Sequence, residues 1–165
     1  MILEVARSLT EWFNDPLHGI AACLAIVPRE PGDALPVIGT IAEQTADNAV
    51  AQLRFPSIPG IAVNVRQIAP LDGANNTVTG DGTADILVRI ARSDQDTAVA
   101  AAETSYILRA VLMSWRRFNL NPPTRNNLQI YHCDQLLAAP DFTPIEGAIV
   151  TGAITGMLEF RDLLS

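Results

Sequence analysis

Metal binding and proton transfer in this sequence would have to come from two histidines, two cysteines and eighteen acidic residues. His18 stands beside an expected helix end and His132 on an expected strand, and no HExxH, CxxC or paired-histidine spacing joins them. His132-Cys133-Asp134 puts three ligand types in a row, but neighbouring strand residues face opposite sides of a sheet and cannot build one site. A partly buried structural histidine is the ordinary reading of His132. Serine hydrolase chemistry lacks its G-x-S-x-G turn. Gly147, Gly152 and Gly156 imitate a phosphate loop, yet no Lys-Ser/Thr follows them. As strand glycines they mark bends or close approaches of backbone. All 11 basic residues are arginine, so no lysine is available for a Schiff base or a P-loop.

The run from Asp72 to Asp85 offers several oxygen ligands, but neither the spacing nor the terminal glutamate of an EF-hand. Catalytic, metal and cofactor-binding residues are therefore expected to be none, and the chain is expected not to be an enzyme. Cys23 and Cys133 are far apart and carry no motif; both read as buried thiols, and a disulfide between them stays open.

The elements that would position any site follow from hydrophobic period. Ile2, Val5, Leu9, Trp12 and Phe13 recur at helical spacing, with Glu4, Arg7, Ser8 and Glu11 opposite, and Asn14-Asp15-Pro16 ends the helix. Gly19 to Val27 fits either a buried strand or a short helix. Pro28 to Pro36 is a loop, and Ala46 to Leu53 is a helical patch. Ile61, Val63 and Val65 alternate with Ala62, Asn64 and Arg66, which predicts a strand over Ile61–Ile68. A returning strand is expected over Ala84–Arg92, and Pro70 to Thr83 reads as the polar tip of a long hairpin. Asp94 or Asp96 caps a helix reaching Phe118, where Arg116 and Arg117 suit its dipole. Further strands are expected over Leu128–Cys133 and Ala148–Phe160, the last with Ile154, Gly156, Leu158 and Phe160 on one face. Short connections favour an α+β fold, a mainly antiparallel sheet with a long helix and an N-terminal helix packed on it.

The totals set outer bounds. The 165 residues, 48% hydrophobic and 18% charged, describe one globular domain over 1–165 with no internal repeat or linker. A net charge of −7 without any basic run argues against a protein that wraps nucleic acid. The first residues lack the basic flank and cleavage site of a signal peptide, and Gly19 to Val27 is too short to span a bilayer. The chain is expected to be made in the cytoplasm and to stay soluble.

The order of elements, carried by Phe55-Pro-Ser-Ile-Pro-Gly-Ile-Ala-Val-Asn-Val65, Ala84 to Ala91, Asp96 to Val111 and Gly152 to Phe160, resembles the tail terminator (tail-completion) proteins of long-tailed bacteriophages. Residues 22–54 lie outside the resemblance. It implies a structural virion subunit that forms a ring, usually a hexamer. Such a ring caps the finished tail tube, ends its polymerisation and meets the head or neck connector, and DNA passes through it without specific binding. The implied location is the virion tail or neck, after synthesis in the host cytoplasm. A neck or head–tail joining subunit is the alternative, followed by a small-ligand-binding domain or an enzyme with an unrecognised site. Leu71 to Asp81 offers little to its own core, and long loops often bind. Leu71, Asn75, Asn76, Thr77 and Val78 are accordingly the assembly-interface candidates, with Leu71 and Val78 as apolar anchors.

Overall fold

A computed structural model describes residues 2–44, 60–67, 72–74, 77–91, 97–120, 124–125, 128–136 and 149–163. Three helices cover one face of a single sheet. Helix α1 spans Ile2–Phe13 and buries Val5, Leu9, Trp12 and Phe13, the stripe expected from their spacing. Ser8, expected on the wet side, is 2% exposed, because the apolar arc of α1 is broad enough to include it. The helix stops at Asn14-Asp15-Pro16, where the Asp15 carboxylate accepts the backbone N–H groups of Leu17 and His18, both at 2.8 Å. These bonds are the main reason the Asp15 carboxyl titrates below its ordinary value.

The ambiguous run from Gly19 is a short helix, α2, over Ile20–Ile26. Its entry depends on Gly19, where a Cβ would lie 2.4 Å from the Asp15 carbonyl oxygen and 2.5 Å from that of Phe13. The expected loop follows. Pro31-Gly32 turns it, with the Asp33 N–H bonded to the Glu30 carbonyl at 3.1 Å and Gly32 at φ +95°.

Strand β1, Thr40–Gln44, pairs in parallel with β2, Gly60–Gln67. The short β3, Asp72–Ala74, and the long β4, Thr77–Ala91, follow. Helix α3 runs over Thr97–Leu120, then β5 over Thr124–Arg125, β6 over Leu128–Leu136 and β7 over Ile149–Leu163. The sheet order is β1-β2-β4-β7-β6-β5, with β3 also on β4. Every pairing except β1–β2 is antiparallel, so the fold is the expected α+β class.

One core joins the layers. Ile61, Val63, Val65, Ala84, Val88, Ile130, Ile154, Leu158 and Phe160 meet the buried sides of α1, α2 and α3. Helix α3 supplies Ile107, Val111, Trp115 and Phe118, while Val99 in its first turn is 39% exposed. Gly156 is a close approach of the kind strand glycines suggested: a Cβ there would lie 2.6 Å from the Trp115 ring. Trp12 crosses from α1 to α3, donating Nε1–H to the Ser114 carbonyl at 2.9 Å and meeting Phe118 edge-on. The helical patch Ala46 to Leu53, the caps Asp94 and Asp96, and residues 137–148 fall outside the described residues.

The polar run Pro70 to Thr83 is largely strand. Thr77 pairs with Leu163, Val78 with Asp162 and Thr79 with Arg161, so β4 begins well before Ala84. Polar residues can hold a strand here because β7 gives the main chain a full ladder of partners. Across from them, Asp72 pairs with Thr79 and Ala74 with Thr77. The expected hairpin is present, with Ala74 and Thr77 the last paired residues before its tip.

Candidate interaction surfaces

Of the assembly candidates, Thr77 and Val78 are half-buried at the start of β4. Leu71, Asn75 and Asn76 lie outside the described residues. Thr77 and Val78 lie outside the core but have main-chain partners, since β7 and β3 flank them. The end of the sheet that carries them has a second hairpin. Thr124 pairs with Gln129 and Arg125 with Leu128. Leu128 pairs with Asp162, and Asp162 with Val78, so both hairpins leave the same end of the sheet. Gly80 is paired with the buried Phe160, and the rows beyond it contain no core residue among those described. On this end Arg161 is exposed and grips the Gln129 side-chain oxygen through Nε at 2.8 Å and Nη2 at 2.5 Å.

The residues with chemical potential are dispersed. His132 pairs with Glu159, Cys133 with Leu158 and Asp134 with Met157, successive rows rather than one cluster. A register shift between Ile130 and His132 corrects the simple alternation expected there: Ile130 pairs with Phe160 and His132 with the next residue, Glu159. His18 stacks on Trp12 with centroids 5.2 Å apart, and its Nδ1 is 3.2 Å from Asp15. Its carbonyl accepts from the Ser114 hydroxyl at 2.9 Å, so this histidine cements the α1–α2 turn to α3. Cys23 is buried and free, and burial pushes its thiol up, away from reactivity. Asp72, Asp81 and Asp85 sit on extended strands, where they cannot wrap one cation. Among the described residues no three His, Cys, Asp or Glu side chains converge on a metal-sized site.

Two polar contacts organise the surface. On the sheet face away from the helices, Asp85 is 6% exposed and accepts from the Thr155 hydroxyl at 3.0 Å. Its second oxygen lies 2.7 Å from Arg66 Nη2, close enough for an ion pair but outside good hydrogen-bond geometry. The opposite charges attract whatever the angle, so the contact is an ion pair. On the helix face, the Tyr106 hydroxyl donates to Asp33 at 2.5 Å and accepts the Glu30 N–H at 3.1 Å. One phenol thereby holds both ends of the Pro31-Gly32 turn, and the hydrogen bond to Asp33 holds its ionisation above the ordinary tyrosine range.

Two clefts are lined by described residues. A cleft of about 250 Å³ lies between the end of α1, Ala21 and residues 38–41, and one of about 180 Å³ is lined by Arg7, Thr10, Glu11 and Glu43. Neither gathers a nucleophile, a base and an oxyanion donor. Four large apolar side chains stand out of the surface between positions 17 and 37: Leu17, Ile26, Leu35 and Val37, the last 75% exposed. No helix among the described residues is long and apolar enough to cross a membrane.

The sequence foresaw β6 and β4 from Ala84 onward, did not foresee β3, β5 or the first residues of β4 as strand, and missed the second hairpin and the Tyr106 clasp. The Asn126-Asn127 pair in the sequence was the available signal for the former, since asparagine favours two-residue hairpin turns. No protein-family model matches the sequence, and no curated protein matches it.

Proposed function

We propose that the chain is a tail terminator subunit of a long-tailed phage, a structural protein that forms a ring, probes no substrate and acts by capping the tail tube. The observation that carries this reading is the projecting end of the sheet. Strands β4 and β7 have 15 residues each, whereas α3 has 24. At about 3.3 Å per strand residue and 1.5 Å per helical residue, the strands reach roughly 50 Å and the helix roughly 36 Å. The excess carries both hairpins beyond the core, where a partner surface can meet them.

The remaining features support the same reading. The two clefts among the described residues gather no catalytic constellation, and apolar side chains stand exposed as they do at protein interfaces. On this reading the partners are further copies of the chain, the tail tube protein and the head or neck connector. DNA traverses the ring without specific binding, and the acidic balance keeps phosphate from being held in the lumen.

The test is assembly. The purified chain is measured by light scattering at several concentrations, then mixed with preformed tail tubes and imaged. Rings seated on tube ends are expected. A chain that stays monomeric throughout and leaves tube length and tube ends unaltered refutes the proposal.

A further inference from the structure

Helix α2 is apolar all round, yet its outer side is exposed. Ile20-Ala-Ala-Cys-Leu-Ala-Ile26 contains no polar side chain beyond the Cys23 thiol. Ile20, Cys23 and Leu24 face the core, whereas Ala21, Ala25 and Ile26 are exposed and Ala22 is half-buried. A helix without a polar side is ordinarily enclosed. The apolar surface extends past the helix start, too. Leu17, in the turn that enters α2, is 73% exposed, and Ile26, at the other end, is 57% exposed. No Asp, Glu or Arg occurs from Pro16 to Pro28, and His18 is stacked on Trp12.

Charged residues border this strip at both ends, an acid and a base at each. At the Leu17 end, Arg117 donates to the Leu17 carbonyl at 3.4 Å, and Asp15 accepts the Leu17 and His18 N–H groups through Oδ1. At the Ile26 end stand Arg29, which donates to the Leu24 carbonyl at 3.3 Å, and the exposed Glu30. A chain of charge −7 repels its own copies on the whole. Here the formal charges cancel at each end and the middle carries none, so two copies can approach without net repulsion.

We infer that this strip docks on the same strip of a second copy, with the two α2 helices antiparallel about a two-fold axis. In such a contact residue i of one copy meets j of the other, and j meets i. With the axis beside Ala21 and Ala22, Leu17 of each copy lies against Ile26 of the other. The alanines between them let the helix axes approach to about 8 Å, the low end of helix packing. The same arrangement sets Asp15 against Arg29 and Arg117 against Glu30. A second copy thus brings a strip of equal length with its end charges in the order the match requires. The apolar centre supplies the affinity, and the rim pairs, worth little in energy, fix the antiparallel direction. Two large and three small side chains per copy make a small contact, below about 1,200 Å² in all, and a weak dimer. The contact is not the head-to-tail one that closes a ring, so it neither needs nor replaces the ring proposed above. It pairs single chains, and it pairs whole rings where rings form.

Light scattering from about 1 μM to 1 mM should show the mass of the assembled unit doubling once, whether that unit is a chain or a ring. Leu17→Glu and, separately, Ile26→Arg should each raise the midpoint of doubling at least about tenfold, because each sets a charge against an apolar side chain of the other copy. Both substitutions in one chain place opposite charges against each other at both ends, and should bring the midpoint back towards that of the parent. Circular dichroism checks the fold. Should either variant lose it, Leu17→Gln and Ile26→Gln take their place, and each must still raise the midpoint. A mass that never doubles, a midpoint that neither substitution moves, or a folded double variant that does not recover overturns the contact. Rings that cap tubes without ever doubling overturn the contact and leave the ring reading standing; dimers that leave tube ends uncapped do the reverse. Loss of tube capping in Leu17→Glu with doubling unchanged assigns the strip to the tube protein and also overturns the inference.

Discussion

Replacing Gly156 by alanine tests the packing of the central strand against α3. The new Cβ would sit 2.6 Å from Trp115 Cζ2, 3.0 Å from Cη2 and 3.1 Å from Cε2. The indole has little room to retreat: Trp115 is 2% exposed and its ring lies against Phe13, centroids 6.4 Å apart. One extra carbon in a filled core costs about 1–3 kcal/mol. For a chain of this size that lowers the melting temperature by roughly 2–12 °C. Urea denaturation followed by far-ultraviolet circular dichroism measures it without relying on tryptophan emission. The second arm is Trp115→Phe, alone and with Gly156→Ala. The smaller ring leaves a space that the alanine methyl group partly fills, so the double variant should be more stable than the sum of the single losses, by about 0.5–3 kcal/mol. A Gly156→Ala chain within about 0.5 kcal/mol of the parent, or strictly additive losses, would refute the claim that Trp115 requires a glycine opposite it.

Gly19→Ala should cost at least as much in the same assay, because its Cβ meets backbone oxygens of Asp15 and Phe13 at 2.4 and 2.5 Å and neither can rotate away. Tyr106→Phe should leave the sheet intact but speed amide exchange at Glu30, whose N–H loses its acceptor. The Tyr106 ionisation is raised in the fold, so its contribution is present below the ordinary value of 10.0 and is lost as pH rises through the folded value. The parent should therefore show an alkaline loosening of residues 30–33 that the phenylalanine variant lacks. Asp15 is shifted the other way, so its contribution is present above the ordinary 3.8 and disappears as pH falls through the lower folded value. Asp15→Ala should flatten the stability profile in that acid range, and an unchanged profile would show that the turn does not depend on the carboxylate.

Much of this architecture was legible because alternation and helical period report burial directly. Strands β2, β6 and β7 and helices α1 and α3 lie within a few residues of where Ile61, Ile130, Ile154, Leu9 and Trp115 place them. Failures have local causes. Strand β1 is short and half-buried, with Ile41 its sole large apolar residue, so no period develops. Helix α2 is nearly all apolar over seven residues, which leaves helix and strand indistinguishable. Thr77 to Asp81 looked like loop because side-chain polarity says nothing about main-chain partners supplied by β7, some eighty residues later. The bulge after Ile130 has no signature in residue type.

The position of β7 also governs when the chain can become a folded object. In the order β1-β2-β4-β7-β6-β5 the last of these strands to be made is an interior one, and β4 and β6 are joined in the sheet through it. Until residues 149–163 are available, a nascent chain holds two half-sheets with facing open edges, β2–β4 and β5–β6. Each open edge can recruit a strand from another chain, and pairings between distant segments close slowly. Synthesis thus has a window in which self-association competes with folding, and it ends only when Ile154, Leu158 and Phe160 slide between the two halves beneath Trp115.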